Sequence, residues 1–185
     1  MKTIEFRRHS IKQSHGDTDL SQAGVERARD VGRGELHGKA FTHLFVSPMK
    51  RTGDTLEAFA QGAGDFPAVA PALFPPHVEV SQTEEGLRLW SGACHRAEQH
   101  GSDMLQGAFA EEPQLAQDIS TKAAASFRMW VDALPDGAHA LVIGHSPFME
   151  LIVYGLFGTV LPQLGFCEGF VITDEEGELR LDGCS

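Results

Sequence analysis

The chain has 185 residues, a length suited to one domain, and 42% of them are hydrophobic, enough to bury a sizeable core. Fifteen Lys and Arg stand against 26 Asp and Glu, a net charge of -11. Such a surface repels nucleic acid and anionic membranes, and it would repel phosphorylated substrates too unless a site gathers cations of its own.

Thr3 to Arg7 reads as a first strand, followed by a polar loop to Leu20 in which Ser14, Gly16, Asp17 and Thr18 supply turn chemistry. Ser21 is a good N-cap for a helix carrying Val25, Ala28, Arg29 and Val31, with Gly32 and Gly34 expected to end it. Phe41 to Val46 suits a buried parallel strand, broken at Ser47-Pro48. Lys50 to Gln61 is helical, and Pro67 to Phe74 reads as another short strand. The stretch at about 75–113 suits one or two helices and is expected to be an insertion within a single domain, 1–185. Ala116 to Leu134 has apolar residues at helical spacing. Ala138 to Ile143 is a buried strand, Gly144 to Pro147 a turn, and Phe148 to Phe157 an apolar helix. Phe166 to Asp174 and Glu178 to Leu181 form a terminal hairpin around Glu175-Glu176-Gly177. This alternation of strands and helices predicts an α/β sandwich with a mostly parallel central sheet and an antiparallel edge strand.

Open α/β sheets bind ligands beyond the carboxyl ends of their strands. Three such ends are rich in phosphate-compatible residues: Arg7-Arg8-His9-Ser10, Ser47-Pro48-Met49-Lys50-Arg51-Thr52 and Gly144-His145-Ser146-Pro147. A neutral imidazole is a competent nucleophile toward phosphorus, which makes His9 the candidate. Guanidinium groups match phosphate oxygens bidentately and stay charged, so Arg8 and Arg51 would bind the phosphoryl group. A protonated His145 could donate to one of its oxygens. Singly, each has an ordinary structural explanation; three strand ends together point to one phosphate pocket. Arg7 alternates with Arg8 along the strand and should be structural. Lys12 would be a solvated lysine or a further cation.

Four blocks in order resemble the histidine phosphatase superfamily, the phosphoglycerate mutase-like family. They are Arg8-His9, the stretch Asp17 to Gly24 with its D-x-x-L-S-x-x-G form, Ser47 to Thr52 with Thr55, and Val142 to Pro147. The resemblance implies a three-layer α/β/α fold. It also implies that His9 becomes phosphorylated, with Arg8, Arg51 and His145 completing the pocket. Many members carry a Glu after the third strand as general acid, where this chain reads Ala72-Leu73-Phe74-Pro75-Pro76. The short bacterial phosphohistidine phosphatases are similar there. Glu79, Glu84 and Glu85 follow as weak candidates for the acid.

Nine histidines include no HxxxH pair and no Cys/His cluster, so no metal or other cofactor is expected. Cys94, Cys167 and Cys184 are widely spaced, which suits a reducing compartment. No apolar run nears the ~20 residues of a membrane span. The expectation is a cytoplasmic, metal-independent phosphatase acting through phospho-His9 on a phosphorylated small molecule or a phosphohistidine protein. A mutase-like phosphotransferase and a catalytically weak phosphate-binding regulatory module are the alternatives.

Overall fold

The structure is a computed structural model that describes residues 1–14, 19–75, 84–101 and 103–184. Its contacts divide the chain into two compact units, Met1–Phe74 with Leu134–His145 and Gly165–Ser185, and Pro75–Ala133 with Ser146–Leu164.

The first unit holds β1 (Lys2–Arg8), α1 (Gln22–Val31), β2 (His43–Val46), α2 (Lys50–Ala63), β3 (Ala72–Leu73), β4 (His139–Gly144), β5 (Gly169–Glu175) and β6 (Glu178–Cys184). The strands form one mixed sheet in the order β3-β2-β4-β1-β5-β6. The first four in that order are parallel. β5 is antiparallel to both neighbours and so lies one place in from the edge. Because β2, β4 and β1 are adjacent and parallel, their carboxyl ends lie side by side, with Arg8 opposite Gly144 and Val46 opposite Ile143. That alignment brings the three phosphate-compatible segments together.

The central strand β4 carries Ala140, Leu141, Val142 and Ile143, all fully buried, as expected for a strand covered on both faces. β1 alternates. Ile4 and Phe6 are apolar and fully buried, and the Phe6 ring stacks on Phe170 at 4.9 Å and meets Phe74 edge-on at 5.8 Å. On the opposite face Arg7 pairs with Glu5 at 2.7 Å, and Lys39 and Glu35 extend the network at 2.7 Å each. Arg7 is therefore structural, as its place in the alternation predicts.

Ser21 caps α1, its Oγ accepting from the Gly24 N–H at 3.0 Å. The α-helix ends at Gly32, its C-cap, as expected, although the backbone there stays right-handed (φ -53°). The backbone continues through a π turn, Gly32–Leu36, and reverses at Gly38, where φ is 78°. Glycine is needed at 32 for packing: a Cβ there would lie 2.2 Å from the Phe59 carbonyl oxygen of α2. The third strand is shorter than the sequence suggests, since only Ala72–Leu73 pair with Phe45–Val46. Pro67 and Pro71 have no N–H for a ladder. β2 likewise starts at His43, and Phe166 to Glu168 form a turn ahead of β5.

The second unit contains α3 (Glu84–Gln99), α4 (Met104–Glu111), α5 (Pro113–Ala133) and α6 (Phe148–Phe157). Its core gathers Trp90, Ala93, Leu105, Ala108, Ala116, Ile119 and Leu151. Asp103 caps α4 through its Oδ1, which accepts from Leu105 and Gln106 at 3.1 and 3.0 Å. Gly155 lets α6 approach α5 closely, because a Cβ there would lie 2.0 Å from the Ser120 carbonyl oxygen. Among the described residues, no helix is long and apolar enough to cross a membrane.

Candidate active site

His9 follows β1 directly and is 5% exposed. Its Nδ1 lies 2.7 Å from the carbonyl oxygen of Ser10. A carbonyl only accepts, so Nδ1 carries the proton and Nε2 keeps its lone pair. Burial pushes the His9 pKa down to about 4, helped by the charges of Arg51, Arg8 and Lys12. At neutral pH the ring is an uncharged base with one free nitrogen lone pair. The loop behind it is fixed at two points: the Ser10 N–H donates to Thr55 Oγ1 at 3.0 Å, and Ser10 Oγ donates to the Gly24 carbonyl at 2.7 Å. A serine at position 10 is thereby used as an anchor.

His145 follows β4, and its ring centroid lies 5.1 Å from that of His9. Arg51 Nη2 donates to His145 Nδ1 at 3.2 Å, which leaves the proton on Nε2. That Nε2–H donates to Ser47 Oγ at 2.7 Å. Ser47 Oγ is 3.2 Å from Thr52 Oγ1, which reaches the Met49 carbonyl at 2.7 Å. The chain from His145 through Ser47 and Thr52 to the backbone can thus be satisfied in one proton order. Burial again comes first in lowering the His145 pKa, to about 3, followed by Arg51, His9, Arg8 and Lys12.

The structure therefore brings Arg51 against His145 and places His9 beside it. Arg8 approaches through a different partner: its guanidinium carbon lies 4.6 Å from the centroid of the Phe166 ring, which is 5.9 Å from the His9 ring. The charges that lower both imidazoles are those of Arg51, Arg8 and Lys12, all cationic. In a chain of net charge -11, this is a local basic site. Ser47 and Phe166 are the members that sequence reasoning missed. The serine was visible as part of the Ser-Pro block, but nothing in that block tells of a bond to a residue 98 positions away.

The stretch expected to carry a general acid, Ala72-Leu73-Phe74-Pro75-Pro76, has no carboxylate in its sequence. Phe74, just after β3, is 1% exposed and rests on Phe6. Glu79 lies outside the described residues, as do the side chains of Glu84 and Glu85. Asp17 and Thr18 of the loop before α1 also lie outside them. Among the described residues, no group of three or more His, Cys, Asp or Glu is arranged to hold a metal ion.

The family model "Histidine phosphatase superfamily (branch 1)" matches residues 3–165. No curated protein matches the sequence. Among solved structures, a phosphoglycerate mutase from Bacillus anthracis str. Sterne is similar at a TM-score of 0.65 and 18% identity, covering 98% of this chain and 91% of that one. The protein histidine phosphatase SixA complexed with tungstate gives 0.60 at 17% identity, covering 98% and 95%. A mycobacterial glucosyl-3-phosphoglycerate phosphatase with VO3 gives 0.63 at 15% identity, covering 98% of each. These likenesses identify the fold as α/β of the phosphoglycerate mutase-like type.

Proposed function

The chain belongs to the histidine phosphatase superfamily, and from that premise we propose that it is a phosphatase using His9 as its nucleophile. The observation that carries the proposal is the state of His9: buried, uncharged, tied through Nδ1 to the Ser10 carbonyl and surrounded by Arg8, Arg51 and Lys12. In this reading Nε2 attacks phosphorus, and the bond to the leaving group breaks with its electron pair going to the leaving atom. Arg8 and Arg51 bind the phosphoryl oxygens and offset their charge. The dianion also draws a proton onto His145, whose Nδ1 then donates to it while Nε2–H stays on Ser47. Water attacks phospho-His9, the N–P bond breaks, and its pair returns to Nε2 as inorganic phosphate leaves.

The substrate is a phosphomonoester or a phosphoramidate, on a small molecule or as phosphohistidine in a protein. With no carboxylate in the stretch Ala72–Pro76, phosphoramidates are favoured, since their leaving nitrogen can be protonated beforehand. The same reading treats residues 1–185 as one histidine phosphatase-like domain with an insertion at about 75–113. It requires no metal or other cofactor and places the protein in the cytoplasm, in keeping with the buried free thiols Cys94 and Cys167.

Para-nitrophenyl phosphate is a suitable probe because its leaving group departs without an acid. Wild type should release phosphate from it and from phosphohistidine peptides in EDTA, and His9→Ala should not. An acid-labile, alkali-stable label should map to His9. Equal inactivity of wild type and His9→Ala would refute the reading. Transfer of the label to an acceptor instead of water would replace it with a phosphotransferase.

A further inference from the structure

We propose that Phe166 is a positioning residue of the phosphate site, its ring face holding the Arg8 guanidinium ready for the phosphoryl oxygens. The inference rests on the reading of Arg8 as a phosphate ligand. The guanidinium carbon lies 4.6 Å from the ring centroid, within the range of a cation–π contact. A guanidinium resting on a ring face keeps its N–H edges for other acceptors. The same ring borders His9, at 5.9 Å between centroids, and so helps keep water from both groups.

The backbone shows that this contact is built rather than incidental. Phe166 sits in a tight turn bonded to the residue whose side chain it meets. The Arg8 N–H donates to the Glu168 carbonyl at 2.8 Å, and the Cys167 N–H donates to the Arg8 carbonyl at 3.2 Å. The turn is closed by the Gly165 N–H donating to Glu168 Oε2 at 2.6 Å and the Glu168 N–H donating to the Gly165 carbonyl at 3.2 Å. A Cβ on Gly165 would lie 2.7 Å from the Glu168 carboxylate, and Cys167 adopts a φ of 65°. Arg27 Nε fastens the outer side, donating to the Phe166 carbonyl at 2.8 Å. None of these bonds uses the Phe166 side chain, which leaves the ring as a separable element. Arginine loses rotamer freedom when it binds an anion, and a surface that holds it beforehand reduces that loss.

Binding of inorganic phosphate and orthovanadate, measured by calorimetry, tests the inference without needing turnover. Phe166→Leu keeps the bulk but removes the ring face, and should weaken phosphate binding about 3- to 30-fold, the range of a cation–π contact. KM for para-nitrophenyl phosphate should rise in step while kcat changes little, because Arg8 is held equally in ground and transition states. Phe166→Tyr should restore both. If Phe166→Leu folds poorly, a trifluorinated phenylalanine at 166 preserves the packing with a weaker ring face and should bind phosphate more weakly than wild type. Wild-type affinity in the leucine or fluorinated variant, or no rescue by tyrosine, would overturn the inference while leaving the phosphate site standing. Failure of the wild type itself to bind either anion would overturn both.

Discussion

The two buried imidazoles should make the protein acid-sensitive in a way that can be calculated. In the unfolded chain each titrates near 6.5; in the folded protein His9 falls to about 4 and His145 to about 3. At pH 5 the unfolded chain therefore holds nearly two protons on these rings and the folded protein almost none. Acid favours the state that binds more protons, so stability is fully present above about pH 6.5 and is lost as the pH falls toward the folded values. Between pH 7 and pH 5 the loss is about 2 kcal/mol for each ring, about 4 kcal/mol for both. Urea unfolding of wild type and of His9→Asn/His145→Asn at the two pH values measures it. Carboxylates titrate alike in both proteins and cancel in the difference. The wild type should lose about 4 kcal/mol more than the double variant. Equal losses would mean that the rings are charged or solvated in the native protein, and the description of His9 as a neutral nucleophile would fail with them.

Ser47→Ala removes the acceptor of the His145 Nε2–H; kcat/KM on para-nitrophenyl phosphate should fall about tenfold, the cost of one unsatisfied buried donor. Arg51→Gln should raise KM and also move the acid limb of the kcat/KM profile upward, because Arg51 depresses both imidazoles. Arg7→Met leaves the buried Glu5 with Lys39 as its remaining cation; it should destabilise the protein in urea unfolding, by less than the ~3–5 kcal/mol of a fully uncompensated buried charge. Gly169→Ala would set a Cβ 1.7 Å from the Phe6 carbonyl oxygen where β1 pairs with β5. Its cost should exceed the ~1–3 kcal/mol of ordinary overpacking, seen as a lowered melting temperature or insoluble protein.

Most of the fold can be read from local pattern because its elements obey local rules. β4 is an unbroken apolar run and occupies the centre of the parallel strands. Arg7 and Arg8 differ in role simply because successive residues of a strand face opposite ways. The remaining features have the opposite origin. Gly32 does cap the α-helix, but with right-handed backbone angles, so its own conformational freedom is not the reason for a glycine there; the close Phe59 carbonyl of another helix is. The third strand is shorter than its apolar pattern of Val69, Ala70, Ala72 and Leu73 suggests, because pairing depends on amide donors that Pro67 and Pro71 lack.

The site divides along the same line. The candidates Arg8, His9 and His145 stand at strand ends and Arg51 in the first turn of the helix that follows one, and parallel neighbours must align such ends, so their convergence is legible in the sequence. Ser47 and Phe166 are not legible there, since their roles exist only through partners far away in sequence. Yet those partners complete the chemical argument. A cluster of cations attracts a phosphoryl group, but it also opposes protonation of any imidazole among them. Arg8, Arg51 and Lys12 act on both rings in this way, and burial acts in the same direction. The unprotonated nitrogen needed for attack and the positive field needed for capture thus have a shared source. In the proposed mechanism, phosphoryl binding would separate the two rings: His9, tied through Nδ1 to a carbonyl, would stay a base, whereas His145 would gain an acceptor at Nδ1 and take up a proton there. The proposed nucleophile and the proposed donor would differ because their second nitrogens face different partners, the Ser10 carbonyl in one case and Ser47 Oγ in the other.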